Sequence, residues 1–291
     1  MPDDQFSDLL LAWFDRHGRH DLPWQFDRSP YRVWISEIML QQTQVVTAVK
    51  YFNRFIENFP DVTTLSKAKQ DYVLHHWTGL GYYARARNLH KTAKIIDEQY
   101  DGKLPLDLNS LINLPGIGRS TAGAILSLAC EQRHPILDGN VKRVLSRYHG
   151  VEGWPGKKDV EATLWSYAEL HTPTELIGSY TQAIMDLGAT LCIRRNPDCQ
   201  RCPLSHDCVA LKTGREHELP ESKPRSNLST RETIFAIIEN NSGEILLEQR
   251  PSTGIWGSLW CFPEFSTDKS IETSLLEKYG YKLKDKIEFK T

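Results

Sequence analysis

The sequence predicts a mainly α protein that ends in a shorter mixed α/β region, and three observations carry that expectation. Up to about Leu211, apolar residues recur at helical spacing and the alternation typical of strands is nearly absent. A polar segment from Lys212 to Asn227, with Gly214, Pro220 and Pro224, then interrupts the pattern. Beyond it, Thr233 to Ile238 and Glu244 to Glu248 read as strands around an Asn-Asn-Ser-Gly turn. A chain of 291 residues is longer than most single cores, so two domains are expected: a helical domain over 1–211, a linker over 212–227 and a second domain over 228–291.

The helical elements follow from their apolar faces and their punctuation. Phe6, Leu9, Leu10, Trp13 and Phe14 share one face, and Val33, Trp34, Ile38 and Leu40 resume the period after the turn signals Pro23 and Pro30. Leu114-Pro115-Gly116-Ile117-Gly118-Arg119-Ser120-Thr121 reads as helix, tight hairpin, helix. Gly116 and Gly118 there permit a turn with positive φ and close backbone approach, and the free amides of the next helix start suit a phosphate, the alternative being an ordinary αα-hairpin turn. No repeat with a period of 20–50 residues is present, which excludes a solenoid.

Composition excludes several classes. A formal net charge of −2 gives no global attraction to nucleic acid or to an anionic membrane, so any DNA contact has to come from local basic patches. The acidic opening Met-Pro-Asp-Asp is unlike a signal peptide, and no run of about 18 apolar residues follows, which points to a reducing cytoplasm and no membrane partner. In that setting the six cysteines are reduced or metal-bound, with Cys130 and Cys261 read as packing residues.

Four other cysteines carry chemistry. Cys192, Cys199, Cys202 and Cys208 are separated by six, two and five residues. One CxxC with two wider steps departs from the paired CxxC knuckles of a zinc ribbon and favours a [4Fe–4S] cluster over zinc. Glu37 is one acid within the apolar stretch Trp34 to Leu40, where it either faces solvent or serves as a general acid of raised pKa. Asp138, before Gly139 and Asn140, is placed either as a helix cap or as a catalytic carboxylate; burial beside Ile136 and Leu137 would raise its pKa, whereas Lys142 and Arg143 would hold it ionised. The aromatic and basic run from Trp77 to Asn88 and the glutamines after Leu40 suit an opened duplex.

The ordered set of LPWQ from Leu22, SEIMLQQTQV from Ser36, WTGLGYYARARN from Trp77, LPGIGRSTAGAI from Leu114, LDGNVKRV from Leu137 and the cysteine cluster resembles the MutY-type adenine DNA glycosylases of the iron–sulfur helix-hairpin-helix superfamily. The resemblance implies a two-lobed helix-hairpin-helix glycosylase domain with an iron–sulfur loop at 192–208. Its implied activity is removal of adenine opposite 8-oxoguanine or guanine from double-stranded DNA, by a monomer in the bacterial cytoplasm and nucleoid. Glu37 would protonate adenine at N7. Asp138 would stabilise the oxocarbenium-like state, electrostatically or through a transient adduct, and Glu37 or Asn140 would place water. Gln41, Gln42, Tyr82 and Tyr83 match wedging positions, Gly116, Gly118, Arg119, Ser120 and Lys142 match DNA contacts, and Trp24, Val45, Gln182 and Met185 match an adenine pocket. Ser120 occupies the place of the lysine with which endonuclease III-like relatives form a Schiff base, so the resemblance favours a monofunctional enzyme.

After the linker, Leu247 to Pro251 and Gly254 to Pro263 resemble the start of a Nudix-related lesion-reading domain. It lacks the acidic REXXEE-type motif that pyrophosphatase activity needs, and its roughly 65 residues fall short of an ordinary domain of about 100. An incomplete module with weakened 8-oxoguanine discrimination is therefore expected. The alternatives to the adenine glycosylase are a bifunctional pyrimidine glycosylase/lyase and a noncatalytic iron–sulfur DNA-binding module.

Overall fold

The computed structural model describes residues 5–224, 230 and 232–287. The last residues of the expected linker, 225–227, lie outside the described residues, as do 228, 229 and 231 at the start of the expected second domain and 288–291 at its end. The chain divides into two units, Met1–Pro224 and Arg225–Thr291.

In the first unit, helices run in chain order as α1 (Gln5–His17), α2 (Pro23–Phe26), α3 (Pro30–Leu40), α4 (Val45–Asn58), α5 (Val62–Lys67), α6 (Gln70–Trp77), α7 (Ala84–Gln99), α8 (Leu108–Ile112), α9 (Arg119–Cys130), α10 (Gly139–His149), α11 (Lys158–His171), α12 (Ile177–Thr190) and α13 (Val209–Lys212). Their starts are locally encoded. Pro23 and Pro30 open α2 and α3, where the missing N–H costs nothing. Asp61 and Asp107 cap α5 and α8 by accepting from Thr64 N at 2.7 Å and Ser110 N at 2.9 Å.

Packing assembles these helices into two lobes with α3 between them. One lobe joins α4, α5, α6 and α7; the other joins α1, α9, α10, α12 and α13, while α3 packs on α4, α7 and α9. Trp34, Phe52, Phe55, Phe59 and Trp77 are almost fully buried and form much of the first core. Of the face expected on α1, Phe6, Leu10, Trp13 and Phe14 are buried and Leu9 is half-buried. No described helix is long and apolar enough to cross a membrane.

Among its described residues the second unit holds four short strands, β1 (Ile234–Phe235), β2 (Glu248–Gln249), β3 (Trp260–Cys261) and β4 (Glu264–Phe265), and helix α14 (Ile271–Tyr279). The expected strands Thr233–Ile238 and Glu244–Glu248 are therefore much shorter than the sequence suggests. Their turn does form: Asn240 Oδ1 accepts from Ser242 N and Glu244 N, and the arms meet at Glu239 and Ile245. The arms then diverge, because β1 pairs antiparallel with β4 and β2 with β3. Phe235, Ile237, Ile245 and Leu247 stay exposed, so no packed face reinforces a continuous ladder.

Candidate functional site

Glu37 sits on α3, whose Tyr31, Val33, Trp34, Ile35, Ile38 and Met39 are all buried. Glu37 is recessed rather than sealed: part of its surface stays open, but the surrounding protein strips the charged form of hydration. That burial first, and the nearby Asp138 carboxylate second, push its pKa up to about 8. Glu37 thus holds its proton at neutral pH.

Asp138 is the N-cap of α10. Its Oδ1 accepts from Val141 N at 2.8 Å and its Oδ2 from Asn140 Nδ2 at 3.2 Å. Burial raises its pKa, while the Val141 and Asn140 amides and the Arg143 guanidinium pull it back down. Asp138 is thus a cap and a candidate reacting carboxylate together. The segment before it is pinned by Ser120, whose hydroxyl accepts from Leu137 N at 2.9 Å. The close crossing of α10 and α12 comes from Gly188, where a Cβ would lie 2.6 Å from Asn140 Cβ. Arg143 reinforces that crossing by donating to Asn140 Oδ1 at 2.8 Å, Gly188 O at 2.6 Å and Cys192 O at 2.7 Å. It ties the first turn of α10 to the start of the cysteine loop.

The hairpin before α9 corrects one expectation. Gly116 has φ +81°, and a Cβ there would lie 2.9 Å from Asn88 Cβ, so glycine is required. Gly118, at φ −90°, is under no such constraint. It is the N-cap of α9, without a side-chain cap, and a Cβ there would meet open space. What Gly118 provides is clearance beside free amides. The expected basic contacts have internal partners: Lys142 Nζ pairs with Glu161 at 2.6 Å, and Arg119 lies over the Trp165 ring at 3.9 Å and 3.8 Å from Glu169.

The wedge candidates fall on two turns. Gln41 ends α3 and its amide reaches Thr121 Oγ1 at 3.5 Å, while Gln42 is exposed with φ 57°. Tyr82 is 64% exposed with φ 46°, and Tyr83, half-buried, precedes α7.

The adenine-pocket candidates form two pairs. Trp24 and Val45 lie on the touching helices α2 and α4; Gln182 and Met185 share α12. Gln182 is buried and its polarity is set internally: Nε2 donates to Asp186 Oδ1 at 2.9 Å, and a carboxylate can only accept. Asp186 is itself buried and paired with Arg19 at 2.5 Å. The Gln182–Asp186 bond fixes which end of the amide is the carbonyl and leaves its oxygen available to accept from a ligand. The Arg19–Asp186 pair, linking the loop after α1 to α12, carried no signal in the sequence.

Cys192, Cys199, Cys202 and Cys208 line one cavity together with Arg147 and Glu216. Among the described residues, no three His, Cys, Asp or Glu side chains converge as ligands of a single ion. Four thiols around one cavity are a donor set that fits an iron–sulfur cube. Burial raises the thiols of Cys199, Cys202 and Cys208, that of Cys202 up to about 12, so their deprotonation calls for a strongly positive centre. Arg147, buried at 3% exposure, holds the loop: it donates to Cys192 Sγ at 3.4 Å, Ile193 O at 2.8 Å, Arg194 O at 3.1 Å and Leu219 O at 2.8 Å. Arg147→Met should cost about 3 kcal/mol or more, since several buried acceptors lose a charged donor. A melt that coincides with the parent's, with unchanged cluster absorbance, would reject that role. Arg194, Arg195 and Arg201 are exposed along the loop. Cys130 and Cys261 are half-buried rather than core residues.

The second unit contains a cleft of about 510 Å³ lined in part by Glu248, Arg250, Glu264 and Lys278. These charges pair with one another, Arg250 with Glu264 at 2.6 Å and Lys278 with Glu248 at 2.7 Å.

Two recessed carboxylates beside a hairpin and an iron–sulfur loop define the class. Residues 35–169 match the HhH-GPD superfamily of base excision DNA repair proteins, residues 192–208 the iron–sulfur binding domain of endonuclease III, and residues 233–290 the NUDIX domain. The chain is 47% identical to the adenine DNA glycosylase of Buchnera aphidicola subsp. Schizaphis graminum (strain Sg), over 92% of this chain and 77% of that one. It is 34% identical to the adenine DNA glycosylase of Homo sapiens, over 91% of this chain and 58% of that one. Among solved structures it resembles a thermostable thymine-DNA glycosylase, with TM-score 0.65 and 26% identity over 72% of this chain and 97% of that one. It shares its fold with a non-covalent endonuclease III–DNA complex, with TM-score 0.61 and 23% identity over 74% and 99%. The chain belongs to the adenine DNA glycosylase family. It is a base excision repair enzyme acting on N-glycosidic bonds and carries the [4Fe–4S] cluster on its four loop cysteines.

Proposed function

We propose that the protein is a monofunctional glycosylase that flips adenine out of double-stranded DNA, where it lies opposite 8-oxoguanine or guanine, and hydrolyses its glycosidic bond. The observation that supports this reading most directly is the pairing of Glu37 and Asp138. They come from different helices and lie within electrostatic reach; burial raises both carboxyls, and only at Asp138 do amide donors and the Arg143 guanidinium work against that rise. Glu37, protonated at neutral pH, donates to adenine N7 and turns the base into a leaving group. Asp138, fixed by its cap bonds, faces the positive charge that develops on the sugar, and Asn140 with Glu37 orients water.

The remaining roles follow from the same pose. Gln41, Gln42, Tyr82 and Tyr83 insert where the base leaves the stack. The amides after Gly116 and Gly118 hold a phosphate. Arg119 and Lys142 exchange their internal partners for the backbone, and the carbonyl of Gln182 accepts from the adenine amino group beside Trp24, Val45 and Met185. Ser120 offers no amine for a Schiff base, and its hydroxyl is engaged with Leu137 N. On this reading, 1–211 is catalytic, 212–227 a linker and 228–291 a Nudix-like module that contributes to reading the opposite base. The enzyme acts as a monomer on nucleoid DNA.

The test is single-turnover release of adenine from duplexes with A opposite 8-oxoguanine, G or T, read with and without alkali. Strand breaks at the first two mispairs that appear only after alkali are the expected result. Breaks without alkali would replace this reading with a glycosylase/lyase, and tight binding without base release would replace it with a DNA-binding module.

A further inference from the structure

Arg85, in the first turn of α7, points every terminal guanidinium donor back into the protein. Nη1 donates to Ile38 O at 3.0 Å, Met39 O at 2.9 Å and Gln41 O. Nη2 donates to Thr43 Oγ1 at 3.2 Å, Leu80 O at 3.1 Å and Gly81 O at 3.3 Å. The guanidinium carbon lies 5.3 Å from the Trp77 ring centroid and 5.6 Å from that of Tyr82.

These acceptors belong to two segments far apart in sequence. One is the end of α3, starting one residue after Glu37, with the Gln41–Thr43 turn. The other is the turn that presents Tyr82. The last carbonyls of a helix lack intrahelical partners and carry the negative end of its dipole, so a buried cation there is favourable. Gln42 and Tyr82 both adopt the left-handed region that non-glycine residues avoid, so each turn depends on its surroundings. Planarity matters as well: a fork with fixed donors can span both turns, whereas an ammonium is a single point. The fork is also held at a cost, because Arg85 Nε is buried without a partner.

We infer that Arg85 is a positioning residue that locks the Gln41–Gln42 turn and the Tyr82 turn to each other and to the end of the Glu37 helix. Insertion into the duplex and presentation of the acid then occur as one rigid body. The inference rests on the proposed reading that these turns enter DNA. Its effect falls on extrusion of the base, the step before the proton is transferred.

The experiment uses cluster-loaded Arg85→Lys and Arg85→Met proteins beside the parent. Release of adenine from an A·G duplex is followed at single turnover, and 2-aminopurine placed next to the target adenine reports unstacking by its fluorescence. Both variants should release adenine about 100-fold more slowly, the scale of a displacement of about 1 Å in a positioned group. Their fluorescence rise should be slowed in parallel, while the pH at which release declines stays at the parent's value and the cluster absorbance is retained. Four results would overturn the inference: parental rates in both variants, slow release with a normal fluorescence rise, full rescue by lysine, or loss of the cluster in both. A parent that releases no adenine would instead defeat the proposed function, and the fluorescence comparison would still decide the role of Arg85.

Discussion

Glu37→Gln should lower adenine release by about 100- to 10,000-fold, the range general acid catalysis supplies, while DNA binding persists. Glutamine keeps the shape and the hydrogen-bonding end of the side chain but has no proton to give. In the parent, release should stay level through neutral pH and decline as pH passes about 8, where Glu37 ionises. A decline centred near the ordinary carboxylate range, or a variant with parental rate, would remove Glu37 from the role. The same raised pKa governs stability. The folded state binds a proton that the unfolded state releases near 4.5, so this contribution is complete below that pH and is lost as pH rises through about 8. Glu37→Gln should therefore melt above the parent at pH 9 and show a smaller difference at pH 6. The reverse order would mean that Glu37 is not desolvated.

Asp138→Asn should be nearly as damaging to the rate while leaving the fold almost unchanged. Asparagine caps a helix about as well as aspartate, so the bond from Val141 N survives and the melting temperature should change little. What disappears is the negative charge opposite the sugar, and a fall of about 100- to 1,000-fold is expected, as for other preorganised charge stabilisers. A second signature separates this role from simple damage. Since the Asp138 carboxylate is one cause of the raised Glu37 pKa, its removal should move the alkaline decline to lower pH. An unmoved decline would show that burial alone sets Glu37. In the parent, release also falls on the acid side as Asp138 protonates, at a pH above the ordinary aspartate range because burial raises it. The two limbs belong to a coupled pair.

Much of the site was legible because its chemistry lies in short segments. The spacing of the four cysteines, the Pro-Gly-Ile-Gly hairpin and the single acid of α3 are local signals, and local capping and periodicity then built the helices that carry them. One reading was altered by contacts between distant segments. Gly118 was grouped with Gly116 because both glycines suit a tight turn, yet only Gly116 has a positive φ and a neighbour close enough to exclude a Cβ. For Ser120, Arg119 and Lys142, expected at the DNA, the structure adds a partner within the chain that the sequence did not signal. The strands of the second unit were overestimated because alternation sets side-chain direction but not the partner that completes a ladder.

By itself, the sequence determined a helical catalytic unit, the thiols for a cluster and two acids placed ahead of or within helices. Those follow from periodicity and from the kinds of side chain that hold iron, protons and phosphates. Only the tertiary structure decided how burial and its neighbours shift each acid, how the Gln182 amide is oriented, and which arginines bind carbonyls. The physical reason is that desolvation and hydrogen-bond partnership are properties of the space around a group. For Glu37, Asp138, Gln182, Arg85, Arg143 and Arg147, much of that space is filled by residues from other segments of the chain.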